Sequence, residues 1–403
     1  MNRKIIKWMM VAWLSGMAFV YADDFFAVKE RIIREAWIKK FSLYISPTLS
    51  ITDLGYTSNI YSYQDIEEPD WTADVGINLR AAAILKDRFI FMIDEFPYYS
   101  FYAKNKNEEA FNNKFQFTVY THVGRFNLNY KLNLNYIRGR PNSEFGVKTR
   151  IKERNHGVSL DYGRHDRFYI NLYAAQDQSK YTDERYLEDY DLSRLDREDL
   201  LLGIALNKRI FSRTRLSLNY EYYESRFLHD PGKDGIGGKL SLGIDFPEIS
   251  RVQGSLRYGW KSFFPKNPDY IDFSKPFGAG NLSIRLFRHF KFHFNYLVDN
   301  FFSFWNPEQY FDERSFEAGV EYYLGSRIKV GYWYRAGDLS YKNLGDGIET
   351  RKDDIYSARF SIGFRIFRKM GIALTYTVYR ADSNQLDFTR RYNFIGGSII
   401  HEF

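Results

Sequence analysis

The sequence predicts an all-β fold, a transmembrane antiparallel up-and-down β-barrel of about eighteen strands, with about sixteen as the alternative. Three observations predict it. Segment after segment alternates apolar and polar residues with a period of two. The chain is 19% aromatic, with Tyr 33 and Phe 36, yet 27% charged, and its mean hydropathy is −0.47. The two ends read as an export signal and as a closing strand that finishes on Phe403.

Residues 1–22 read as a secretory signal peptide. Arg3, Lys4 and Lys7 give a positive start, a mostly apolar run follows from Trp8, and Val20-Tyr21-Ala22 precedes Asp23 and Asp24. An uncleaved anchor is the competing reading. The run of roughly 15 residues falls short of the ~20 that a spanning helix needs.

Residues 23–40 form a short N-terminal segment, periplasmic or luminal. Phe26, Ile33 and Trp37 fall near one helical face, with Lys29, Arg31 and Arg34 elsewhere. The simpler reading, and the preferred one, is a leader into the first strand with Trp37 as an interfacial anchor.

Residues 41–403 are the barrel. Phe126 to Tyr136 shows the pattern: Phe126, Leu128, Tyr130, Leu132, Leu134 and Tyr136 share one face, while Asn127, Asn129, Lys131, Asn133 and Asn135 share the other. A strand sorts such residues into an oily and a wet face. Expected strands cover 41–51, 71–85, 88–102, 112–123, 125–139, 148–162, 167–177, 197–208, 213–227, 236–246, 251–262, 277–287, 289–303, 313–324, 327–341, 353–367, 370–382 and 389–403. Short turns alternate with longer polar loops, which is the asymmetry of periplasmic turns against external loops. A soluble solenoid or sandwich is the rival fold. It would not need Tyr and Phe on nearly every strand, and no fixed-period repeat is visible. Closure follows because lipid tolerates no open sheet edge, so the last strand should pair with the first, with Gly396 and Gly397 easing a bend at the seam.

Several function classes are excluded. With Cys 0, disulfides and thiolate metal sites are unavailable. Of the formal charge of +7, Arg3, Lys4 and Lys7 contribute three, so a chain cut after Ala22 carries +4. That is too mild to argue for nucleic acid. No metal-ligand spacing and no cofactor motif is present. Gly235, Gly237 and Gly238 read as a turn, since no helix follows to make a phosphate cradle.

At this point the chain resembles bacterial outer-membrane β-barrels of the porin type, a poorly characterised porin-like group. Phe403 matches the barrel-assembly signal of that class. Ile399 and Ile395 fit its apolar positions, while His401 and Gly397 depart from it. The entry segment Ile45 to Tyr61, followed by Trp71 to Leu85, matches how such barrels open. The resemblance implies residence in the cell outer membrane. The partners it implies are lipid and lipopolysaccharide, the barrel-assembly machinery through the C-terminal strand, and small polar solutes.

About eighteen strands enclose water, whereas eight are filled by side chains. Passive diffusion of small polar solutes is therefore the expected function. Expected pore-lining residues are the basic Lys131, Lys239, Arg257, Arg285, Lys291, Lys329, Arg359 and Arg365 and the acidic Glu221, Asp245, Glu317 and Glu321. The basic excess leans toward anions, because a charged low-dielectric wall concentrates counter-ions. Tyr323 and Trp333 are expected to face the lumen. A structural, receptor or secretion-partner barrel is the alternative function. An enzyme is not expected: of the seven His, only His229 beside Asp230 lies in an external loop. The charged loop 178–196 is a candidate to fold inward or to bind cations. The solute, its selectivity and the number of subunits are not written in one sequence.

Overall fold

The computed structural model describes residues 25–63, 67–140, 143–144, 146–182, 192–211, 214–246, 251–303, 308–343, 350–367 and 369–403. The expected signal peptide, the turn at 247–250 and most of the charged part of loop 178–196 lie outside them.

One helix, α1 (Phe25–Glu35), and a short strand, β1 (Ile38–Lys40), lead into the sheet. The long strands are β2 (Leu43–Thr57), β3 (Asp70–Leu85), β4 (Phe89–Tyr102), β5 (Ala110–Val123), β6 (Phe126–Gly139), β7 (Thr149–Arg164), β8 (Phe168–Tyr181), β9 (Arg197–Arg209) and β10 (Arg215–Phe227). They continue with β11 (Gly235–Phe246), β12 (Val252–Pro265), β13 (Phe273–Leu286), β14 (Phe290–Phe302), β15 (Glu308–Leu324), β16 (Ile328–Asn343), β17 (Lys352–Phe367), β18 (Met370–Ser383) and β19 (Arg390–Glu402).

Every long strand pairs antiparallel with its sequence neighbours, and β19 pairs with β2, so the sheet closes into an eighteen-stranded barrel. At the seam Phe394 faces Thr57 and Glu402 faces Thr48, with an irregularity between Gly397 and Ile399. Gly55 is required there. A Cβ on it would stand 2.2 Å from the Ile395 carbonyl oxygen and 2.4 Å from the Gly396 Cα.

The expected strand count holds, and the main differences are at the loop end. β2 runs on to Thr57 through a bulge at Asp53 and Leu54, where a loop from 52 was expected. β12 and β13 likewise extend into the expected loop 263–276. Polar side chains continue these ladders beyond the hydrocarbon, so hydropathy marks where lipid ends and not where pairing ends.

The outside is apolar. Leu242 is 58% exposed, Tyr258 67% and Trp260 52%. Phe41, Phe211, Phe287 and Phe367 project most at the short-turn end. An apolar band with aromatic residues at its edge is what a bilayer covers, and water would not tolerate so large a surface.

The N-terminal segment departs from the preferred leader. It is a helix; of the expected Phe26, Ile33 and Trp37 only the half-buried Ile33 joins its buried side, which is Phe25, Val28 and Ile32. These three pack on Ala82, Ile84, Ile90, Met92 and Tyr120. Those residues point away from the exposed Leu85, Phe89, Phe91 and Ile93, hence into the barrel. An apolar patch on an otherwise wet inner wall needs a cover, and α1 supplies it. Lys29 Nζ reaches Asp87 at 2.7 Å and Arg80 reaches Glu35 at 3.6 Å, which places the helix at the short-turn end.

Candidate functional site

The site is the barrel interior. Strand alternation puts all twelve expected charged residues on the inner face, and cross-strand register decides which of them meet. Arg257 Nη2 donates to Asp245 Oδ1 at 2.9 Å. Lys329 Nζ donates to Glu321 Oε1 at 3.0 Å. Lys239 pairs across strands with Glu221, which accepts from Tyr173 Oη at 2.8 Å, and its ammonium stands 4.2 Å from the Phe277 ring centre. Arg285 sits opposite Lys291, and Lys291 opposite Glu321. Glu317 accepts from Asn295 at 2.7 Å. Arg359 covers the Trp333 ring at 4.7 Å. Lys131, on β6, lies away from the other eleven, and Arg365 sits near the short-turn end of β17. Several of the basic residues thus already have an acid beside them, and a count of charges overstates the field a solute meets.

Trp333 is 5% exposed and packed between glycines, since a Cβ on Gly319 or Gly331 would stand 2.2 Å from its ring. Tyr323 Oη donates to Glu321 at 2.5 Å. Trp333 is thus packed as a support for its charged neighbours, and Tyr323 is half-buried with its hydroxyl bound to Glu321.

Inner-face charges that alternation alone did not single out change the picture. Glu153 on β7, Asp177 on β8 and Asp199 on β9 line one arc. Lys329 and Arg335 on β16, with Arg359 and Arg365 on β17, line another. β8 and β17 are nine strands apart, half the circumference of the ring. These acids thus lie across the ring from these bases, but Arg197 answers Asp199 at 2.8 Å, Glu321 answers Lys329 at 3.0 Å and Glu313 answers Arg335 at 2.6 Å. Sequence order hides this, because opposition across a ring depends on the strand count.

The loop between β6 and β7 crosses the interior. Ser143 Oγ donates to Glu313 on β15 at 2.9 Å, and its carbonyl accepts from Arg390 Nη1 on β19 at 2.5 Å. Glu144 accepts from Ser303 Oγ at 2.5 Å and lies 3.9 Å from Arg351 Nη1. Arg351 holds Asp353 bidentately at 2.9 and 2.6 Å, and Arg390 reaches the same carboxylate at 3.2 Å. Glu144, Arg351, Asp353 and Arg390 are all at most 1% exposed. Such a cluster is stable only when every charge is answered. Gly146 lets the loop seat, because a Cβ there would meet the Tyr61 carbonyl oxygen at 2.8 Å. Loop 178–196 is one candidate to fold inward or to bind cations. Of its described residues, Leu192 and Leu195 pack with Tyr63 and Val147 against this crossing loop.

His229 and Asp230 do separate work. His229 lies 3.4 Å from Asp196, while Asp230 accepts from Tyr270 Oη at 2.8 Å and Arg194 at 3.2 Å. A Ser283–His293–Glu321 row exists on the inner wall, with Ser283 Oγ 2.9 Å from His293 Nδ1 and His293 Nε2 3.2 Å from Glu321. Ser283 sits mid-strand with ladders on both sides, so the neighbouring amides already serve the sheet and offer no oxyanion hole. Among the described residues no group of three or more His, Asp or Glu is placed to hold a metal ion.

No protein-family model and no curated protein matches the chain. Solved structures do. OccK2 of Pseudomonas aeruginosa in complex with glucuronate aligns at TM-score 0.52 and 12% identity, covering 90% of this chain and 97% of that one. OccAB3 of Acinetobacter baumannii aligns at 0.51 and 10%, covering 89% and 99%. A BenF-like porin of Pseudomonas fluorescens aligns at 0.51 and 9%, covering 90% and 99%. The fold is that of an outer-membrane porin. A porin barrel with this apolar exterior belongs in the outer membrane, in contact with its lipid.

Proposed function

We propose that the chain is an outer-membrane channel through which small polar solutes diffuse passively. One observation carries the reading: an eighteen-stranded ring with a charged inner wall is crossed by a pinned loop. A ring of that size leaves an aqueous lumen, and a loop fixed across it narrows the path without sealing it by sheet.

Selectivity in this reading comes from opposed arcs more than from net charge. A solute carboxylate is drawn to the Arg359 and Arg365 side, while hydroxyl or ammonium groups meet Glu153 and Asp177. Small anionic solutes with polar substituents fit both. Insertion is assigned to the last strand, where Phe403 and Ile395 face outward beside Ile399, and the barrel-assembly machinery is the partner there.

Liposome swelling tests the proposal. Vesicles carrying the folded barrel should swell in glucuronate faster than in a neutral disaccharide. Equal exclusion of both solutes would remove the channel reading in favour of a structural or receptor barrel.

A further inference from the structure

Some outward charges at the loop end are paired. Arg226 meets Glu224 at 3.0 Å on β10, and Arg391 meets Asp382 at 3.2 Å between β19 and β18. β7 and β8 differ. Their outward faces carry Arg150, Lys152, Arg154 and Lys180, and none of the four has a carboxylate within ion-pair distance among the described residues. Arg150 bonds Tyr136 Oη at 2.7 Å, Lys152 lies over the same ring, and Arg154 Nε donates to His156 at 2.7 Å. Two described acids of the neighbouring β9 edge have other partners. Glu198 accepts from Gln178 at 2.6 Å, and Asp196, which feels the charge of Lys180, accepts from the Tyr181 amide at 2.7 Å.

Their height decides what meets them. A tilted strand climbs roughly 2.5 Å per residue. Arg154 therefore stands about 25 Å above Arg164 at the short turn, the full depth of an apolar belt. Below it the same wall shows Val158 at 41% and Leu172 at 48% exposure, which is acyl-chain territory. Cations two apart on one strand are about 7 Å apart, and neighbours across strands about 5 Å apart. Two phosphates on one head group span such a grid.

We propose that this patch binds the phosphates of a phosphorylated glycolipid of the outer leaflet, as in lipopolysaccharide, with its acyl chains lying on Val158 and Leu172. Lysine and arginine at the head-group level attract anionic lipid, and arginine grips phosphate bidentately. The site is on the outside of the barrel and does not depend on solute passage.

Native mass spectrometry of the detergent-purified, folded full-length barrel tests it, with diphosphorylated lipid A as probe. Wild type should retain the lipid, and the dephosphorylated form should bind roughly a hundredfold more weakly. A variant with Arg150→Gln, Lys152→Gln, Arg154→Gln and Lys180→Gln should lose the lipid to a similar degree. A control with Arg380→Gln and Arg391→Gln should retain it, and conductance should be unchanged in both. Equal binding of the dephosphorylated lipid would overturn the proposal, and that arm needs no variant to fold. Undiminished retention by the fourfold variant, an equal loss in the control, or displacement by equimolar inorganic phosphate would overturn it as well.

Discussion

Ser143 and Glu313 belong to opposite walls of the barrel, yet the Ser143 hydroxyl donates to the Glu313 carboxylate at 2.9 Å. β6 and β15 are nine strands apart in the ring. The chain between β6 and β7 therefore spans the lumen, and what pins it sets the width of any path.

Releasing the pin should widen that path. Arg390→Ala leaves Asp353 short of one partner and frees the Ser143 carbonyl. Breaking a buried ion cluster costs about 3–5 kcal/mol, enough to detach a loop without unfolding a barrel. Single-channel conductance of the variant should rise roughly twofold, with more frequent flicker. Unchanged steps would show that the loop does not limit flow.

Gly146→Val should act the same way for a steric reason. The added Cβ would meet the Tyr61 carbonyl oxygen at 2.8 Å, with Tyr63 and Arg390 at 3.1 and 3.2 Å. Overpacking typically costs about 1–3 kcal/mol. Protease cleavage within 140–148 should become faster, while the barrel itself stays resistant.

The helix α1 should be removable from the wall. Val28→Asp with Ile32→Asp puts two carboxylates against Ala82, Ile84 and Met92. Each loses about 1.5–3 kcal/mol of burial and gains a desolvation penalty. Hydrogen exchange over residues 25–35 should rise to that of an unstructured segment, and conductance should increase. Retained protection would mean the helix is held by Lys29–Asp87 and Arg80–Glu35 instead.

Lys233 gives a pH signature at the loop end. Burial, with Arg194 adding to it, pushes its ammonium from the ordinary 10.5 down to about 8, while Asp230 pulls the other way. Its Nζ donates to the Ser303 carbonyl at 3.2 Å. Below pH 8 both folded and released states hold the proton, so the penalty is fully present. Between about 8 and 10.5 only the released state holds it, and packing gains stability as pH rises. Exchange protection at residues 228–234 should therefore increase across that window, and Lys233→Met should abolish the dependence.

Alternation made the barrel legible, because a lipid face and a wet face leave a period-two record along each strand. Leu128, Leu216, Phe292 and Phe360 faced outward as expected. The inner arcs were half legible. Which residues point inward was readable on strands of clean alternation, but Glu153 and Asp177 lie on strands whose outward side turns polar near the rim, at Arg154 and Gln176, so the two faces look alike. The crossing loop was not legible at all. Arg140 to Lys148 reads as any polar connection, and its meaning depends on Arg351 and Arg390, more than two hundred residues away. The α1 face failed for a related reason, since its partner patch of Ala82, Ile84, Ile90 and Met92 sits on two other elements.

The most direct measurement is single-channel recording in planar bilayers of wild type beside Arg390→Ala. A water-filled ring narrowed by a pinned loop predicts discrete ohmic steps in wild type and larger ones in the variant, with the reversal potential shifting toward cations when Arg359 and Arg365 are replaced by Gln. Folded, inserted protein that passes no current in either form would contradict it.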